Sequence, residues 1–205
     1  KAPVLRDDLT GKDNAGQGVR RHHNHIFNWS VGDKAATDKA FTGAAVTVKE
    51  DITYQRVFPC PLETCGCVAS MDPVKGELTI YGTFQAPHVV RTVVSLISGL
   101  PEHKIHVIAQ DIGGGFGMKI HTYGDDMATV AAALLTGRPV KFVADRLESF
   151  TADFHARGHR VKVRMALSNA GDILAVEADD LYGIGPYSGY PRGGANEGIH
   201  VSNLM

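Results

Sequence analysis

The run Gly113-Gly114-Gly115-Phe116-Gly117-Met118-Lys119 is where this 205-residue sequence offers most to chemistry. Consecutive glycines let a backbone come close to a ligand and turn its N–H groups toward an anion. Two familiar phosphate motifs fail here. A P-loop needs Gly-Lys followed by Ser or Thr, but Lys119 is preceded by Met118 and followed by Ile120. The dinucleotide fingerprint needs a third glycine where Met118 stands. A tight turn without any ligand is the plain alternative. Gln85, in Thr83-Phe84-Gln85-Ala86-Pro87-His88, precedes a helix start. Its amide offers an acceptor and two donors beside a positive dipole end, although a simple helix cap would use the same residue. A neutral amide and a glycine loop together suit an anionic, oxygen-bearing cofactor. No nucleophile–base pair or spaced carboxylate pair points to hydrolysis. Cys60, Cys65 and Cys67 are odd in number and too closely set for a zinc site, so they read as reduced thiols. His22-His23-Asn24-His25 has no carboxylate or thiol at ligand spacing and reads as a solvated loop or interface.

The elements that must position these residues follow from periodicity. Alternation predicts strands near 44–52, 65–70 and 77–82, the last two joined by the turn Asp72-Pro73-Val74-Lys75-Gly76. Val89, Val90, Val93, Val94 and Ile97 recur at helical spacing, with Pro87 in the first turn and Gly99 after the last, which predicts a helix over 87–98. A strand near 104–109 runs into the glycine loop. A second helix over 123–136 ends at Gly137 and Pro139. Strands near 140–143, 160–167 and 173–182 follow, the last two joined by Asn169-Ala170-Gly171-Asp172. The expected fold is α+β, a mixed and largely antiparallel sheet with two packed helices.

Composition narrows the partners. Lys plus Arg is 21 and Asp plus Glu is 22, a net charge of −1 that argues against nucleic acid or an anionic membrane. Apolar residues at 43% and charged residues at 21% are ordinary for a folded domain. The uncharged run Ala128–Thr136 is far short of a membrane span, and no signal peptide opens the chain. Residues 1–40, rich in Gly, Asp, Asn and Lys, read as an interdomain connector. The first residue is not Met and the last two are Leu204-Met205, so a piece of a longer polypeptide is expected.

Three motifs stand in the order and spacing of a known family: Pro61-Leu62-Glu63-Thr64-Cys65, Phe84-Gln85-Ala86-Pro87-His88, and the stretch from Gly113 to Lys119. They resemble the xanthine oxidase family of molybdenum hydroxylases. Within it, Pro61 to Lys119 looks closest to the large subunits of aerobic, molybdenum-containing carbon monoxide dehydrogenases. Gly99-Leu100-Pro101-Glu102-His103-Lys104-Ile105 and Gly137-Arg138-Pro139-Val140-Lys141 add to the likeness. The resemblance implies that residues 41–205 are the first part of a molybdenum cofactor-binding domain, incomplete at its C-terminus. It implies a molybdopterin cytosine dinucleotide cofactor, oxidation of carbon monoxide to carbon dioxide with water, and electrons passed to iron–sulfur clusters and FAD. Those groups would sit in an iron–sulfur small subunit and a flavin medium subunit of a cytoplasmic dimer of heterotrimers. Gln85 would face the oxygen ligands of the metal and donate a hydrogen bond. Gly114, Gly115, Phe116 and Gly117 would supply backbone contacts, with Phe116 walling the pocket.

Departures from the family pattern bear on substrate. Ile120 stands where purine-oxidising members carry a glutamate, which argues against xanthine. The loop cysteine that marks carbon monoxide dehydrogenases, with its copper, and the glutamate base are expected beyond residue 205. Gly183-Ile184-Gly185-Pro186-Tyr187-Ser188-Gly189-Tyr190-Pro191-Arg192 looks more like a second group of carbon monoxide dehydrogenase-like subunits. An aldehyde or N-heterocycle hydroxylase is therefore the alternative within the family, and a non-catalytic binding module the alternative outside it.

Overall fold

A computed structural model describes residues 30–183. They divide into two units, one built from 30–55 with 157–183 and the other from Arg56–Ala156. The loop His22–His25 and most of the stretch Gly183–Arg192 lie outside the described residues.

The first unit is a three-stranded antiparallel sheet in the order β1-β6-β7, carrying one helix. Strand β1 (Val46–Tyr54) pairs with β6 (Gly158–Leu167) from Val46↔Leu167 to Tyr54↔His159, and β6 pairs with β7 (Ile173–Gly183). Helix α1, Lys34–Thr42, falls in the stretch that reads as a connector. Its apolar pattern is weak and none of its residues is buried, so periodicity gives no sign of it. The sign is instead its cap, since the Asp33 carboxylate accepts the Ala36 N–H at 2.9 Å. The Arg164 guanidinium lies 4.1 Å from the centre of the Phe41 ring and ties the helix to β6.

The second unit is a four-stranded mixed sheet in the order β4-β3-β2-β5. Strands β2 (Gly66–Asp72) and β3 (Glu77–Gly82) form a hairpin, in whose turn the Asp72 carboxylate accepts the N–H groups of Val74 and Lys75. Helix α2 (Pro87–Ser98) crosses over from β3 to the parallel strand β4 (Ile105–Ile108). Helix α3 (Gly124–Thr136) leads to β5 (Val140–Val143), which pairs antiparallel with β2. Cys67 and Ala69 of β2, Leu78 and Ile80 of β3, Val90 and Val94 of α2, and Val130 and Ala133 of α3 close one buried core. Both helices therefore cover the same sheet face. A short helix α4, Arg146–Ala152, has no counterpart in the periodicity reading.

The α+β class is as expected, and the strands and the two longer helices sit within about two residues of their predicted positions. The differences are that the strands form two sheets, not one, and that two further helices are present.

Candidate cofactor site

The segment after β3 places Gln85. An added Cβ at Gly82 would lie 2.2 Å from Cε2 of Phe84, so glycine is required for the Phe84 ring to fold back into the core. Phe84 is buried and Gln85, the next residue, is exposed at the mouth of helix α2. Its backbone N–H donates to the Lys119 carbonyl at 2.9 Å. Its side-chain Oε1 accepts two N–H groups, from Gly117 at 3.0 Å and from Lys119 at 3.1 Å. Two N–H donors can be met only by the amide oxygen, which fixes the orientation of the group. The Nε2 donor is thereby directed away from the loop, and it has no hydrogen-bond partner among the described residues.

The loop itself is shaped by left-handed backbone. Gly114 (φ 96°) and Gly117 (φ 85°) adopt it, and so does Phe116 (φ 52°), where an L side chain is strained. Phe116 stands 74% exposed, an apolar ring held out over the loop rather than packed beneath it. At Gly115, a Cβ would meet the Gln85 amide at 2.4 Å. Glycine at that position is what lets loop and glutamine touch. The N–H groups of Gly114, Gly115 and Phe116 have no partner among the described residues, whereas the Gly115 carbonyl accepts the Met118 N–H at 2.9 Å. Three loop N–H groups and the Gln85 amide thus lie within one short loop and the glutamine packed against it, with no net charge among them.

A short 3-10 turn, Met118–Ile120, closes the loop. The Tyr123 hydroxyl donates to the Met118 carbonyl at 2.8 Å and accepts the Phe154 N–H at 3.2 Å. Burial holds the Tyr123 hydroxyl above its ordinary range, so it stays a donor. The Lys119 side chain is wholly buried and meets Glu63 Oε2 at 2.9 Å. That same oxygen accepts the Gly113 N–H at 2.7 Å, the main cause of a carboxyl held below its usual range. Sequence reading leaves Glu63 and Lys119 without a role, because nothing local marks a pair separated by 56 positions. Neither Cys65 nor Cys67 belongs to the site. Both are buried, with thiols pushed up to about 12 by desolvation, and all three cysteines are free.

The structure thus brings Gln85 together with Gly114, Gly115, Phe116 and Gly117, the residues singled out from the sequence. A profile of the molybdopterin cofactor-binding domain family matches residues 19–203. The chain belongs to that family. A relative of this molybdopterin-binding segment is the carbon monoxide dehydrogenase large chain of Afipia carboxidovorans, 55% identical over 180 residues, covering 88% of this chain and 22% of the relative. Among solved structures, reconstituted CO dehydrogenase from Oligotropha carboxidovorans matches with a TM-score of 0.79 and 55% identity, over 87% of this chain and 22% of that one. Quinoline 2-oxidoreductase from Pseudomonas putida 86 matches with a TM-score of 0.70 and 33% identity, over 76% of this chain and 20% of that one. The chain spans about a fifth of the length of these proteins. No helix among the described residues is long and apolar enough to cross a membrane.

Proposed function

We propose that this chain is the molybdenum cofactor-binding segment of the large subunit of a carbon monoxide dehydrogenase. The observation that carries the reading is the joining of Gln85 to the glycine loop, which leaves an oriented amide donor beside three free backbone N–H groups. Such a set fits an anionic, oxygen-rich ligand, because it supplies directed donors without adding charge. The left-handed turns at Gly114 and Gly117 and the missing Cβ at Gly115 give the backbone its closeness to such a ligand.

When bound, the cofactor supplies a two-electron oxidation in which the oxygen comes from water. The chain's own part is to bind and orient. Gln85 Nε2 donates to an oxygen of the ligand while Oε1 holds the loop. The free N–H groups of Gly114, Gly115 and Phe116 take further oxygens. Phe116, exposed here, walls the pocket against water. We assign the cytosine dinucleotide form to the pterin. The electrons leave to an iron–sulfur small subunit and a FAD-binding medium subunit, in a cytoplasmic dimer of heterotrimers. On this reading copper belongs to a loop beyond residue 205; Cys65 and Cys67 are held as buried thiols and not as the thiolates a soft metal prefers.

The test is dye reduction by the intact, molybdenum-replete enzyme under carbon monoxide. Turnover supports the assignment. Silence with carbon monoxide but turnover with an aldehyde or an N-heterocycle moves the chain to the hydroxylase reading, which its likeness to the quinoline enzyme favours.

A further inference from the structure

Lys119 is a lysine with no exposed side-chain surface, and the distances around it account for that burial. Its Nζ lies 2.9 Å from Glu63 Oε2, and the same oxygen takes the Gly113 N–H at 2.7 Å. Glu63 also donates its own N–H to the Gly113 carbonyl at 3.2 Å, so the two residues are bonded in both directions. Their approach is close, since a Cβ on Gly113 would lie 2.5 Å from Cβ of Glu63. At the other end of the loop, the Lys119 backbone bonds Gln85 through both its N–H and its carbonyl. Behind Glu63, the Arg146 guanidinium at the start of α4 donates to the carbonyls of Pro61 and Leu62 at 2.7 and 2.8 Å. One carboxylate oxygen thus ties the first glycine of the loop to the residue that closes it, and Arg146 fixes the bend at 62–63 that carries the carboxylate.

We propose that Glu63 and Lys119 are positioning residues that clamp the two ends of the glycine loop and thereby hold the Gln85 amide and the loop N–H groups in their ligand-facing arrangement. For their effect on a bound cofactor this rests on the reading above. For the shape of the loop it stands on the geometry alone. Burial of a full charge is tolerated because its partner is present, so removing only one member leaves an uncompensated group. The clamp is therefore tested by removing both.

The intact protein carrying Glu63→Ala with Lys119→Met is compared with wild type by hydrogen exchange, thermal unfolding and molybdenum content. A second pair, Glu63→Gln with Lys119→Met, keeps an acceptor for the Gly113 N–H. The clamp predicts that amides between 113 and 119 exchange about tenfold faster or more in the first pair, while those of α3 and the β2–β3 hairpin keep their protection. It predicts partial return of protection at Gly113 in the second pair, and molybdenum retention falling in the order wild type, second pair, first pair. Unchanged loop exchange in the first pair overturns the proposal. So does acceleration spread evenly over the whole unit, which marks a merely structural pair. Wild type without molybdenum counts against the functional reading and leaves the exchange comparison to decide the clamp.

Discussion

Gln85 spends its oxygen on the loop, and only its nitrogen is left to meet a ligand. That division makes two substitutions informative. Gln85→Ala removes both functions, whereas Gln85→Glu keeps an oxygen for the Gly117 and Lys119 N–H groups and removes the donor. A positioned donor of this kind is worth roughly a hundred- to a thousandfold in rate. Both variants of the intact enzyme are expected to fold and to lose turnover on that scale in steady-state assays, and full activity in Gln85→Glu would deny the donor its role. Asp126, at the first turn of α3, offers a prediction of another kind. It is buried, accepts the Tyr123 N–H at 3.4 Å, and desolvation raises its carboxyl from 3.8 to about 6. A carboxyl that binds its proton more tightly when folded contributes stability that is present at low pH and is lost as pH rises through about 6. Asp126→Asn mimics the protonated form. Unfolding of the intact protein at several pH values is thus expected to show the variant gaining on wild type by up to about 3 kcal/mol between pH 3 and pH 7. A variant that loses ground over that range would show the carboxylate to be stabilised by the fold.

Elements bring residues together that sequence spacing keeps apart, and the glycine loop depends on that. A methyl group at Gly115 would lie 2.4 Å from the Gln85 amide, which must then swing out. Gly115→Ala is expected to reproduce the rate loss of Gln85→Ala with little loss of thermal stability, because the displaced group is an exposed side chain and not core. A fall in both, by parallel assay and melting, would place the damage in the fold instead. Much of this element was legible beforehand. Alternation in β1, interrupted at Glu50, and in β3, the valine spacing of α2, and glycines after α2 and α3 mark their elements by hydrophobic period and breakers. The grouping of Gln85 with Gly114 to Gly117 was legible through the family's motifs. What stayed hidden has physical reasons. Helices α1 and α4 are short and mostly exposed, so they carry no apolar stripe, and their signs are the caps Asp33 and Asp145 with Glu148. The division into two sheets depends on which edges pair, and alternation alone does not specify that. The pair Glu63–Lys119 joins positions 56 apart through a buried charge, and composition treats each as an ordinary surface residue.

At the scale of the molecule, the chain spans about a fifth of the length of its relatives, and among the described residues no group of three or more His, Cys, Asp or Glu side chains could hold a metal ion. On the proposed function the electrons leave through other polypeptides, and native mass spectrometry of the active enzyme is expected to show two further subunits carrying iron–sulfur clusters and flavin. An active enzyme composed of the large chain alone would contradict that arrangement. The claim on which the rest depends is that this loop and this glutamine hold a molybdenum cofactor. Metal analysis of the intact, folded protein, made in a host that synthesises the cofactor, addresses it directly. Molybdenum in proportion to the chain, released together with a cytosine nucleotide on denaturation, is the expected result, and well-folded protein free of molybdenum would contradict the account.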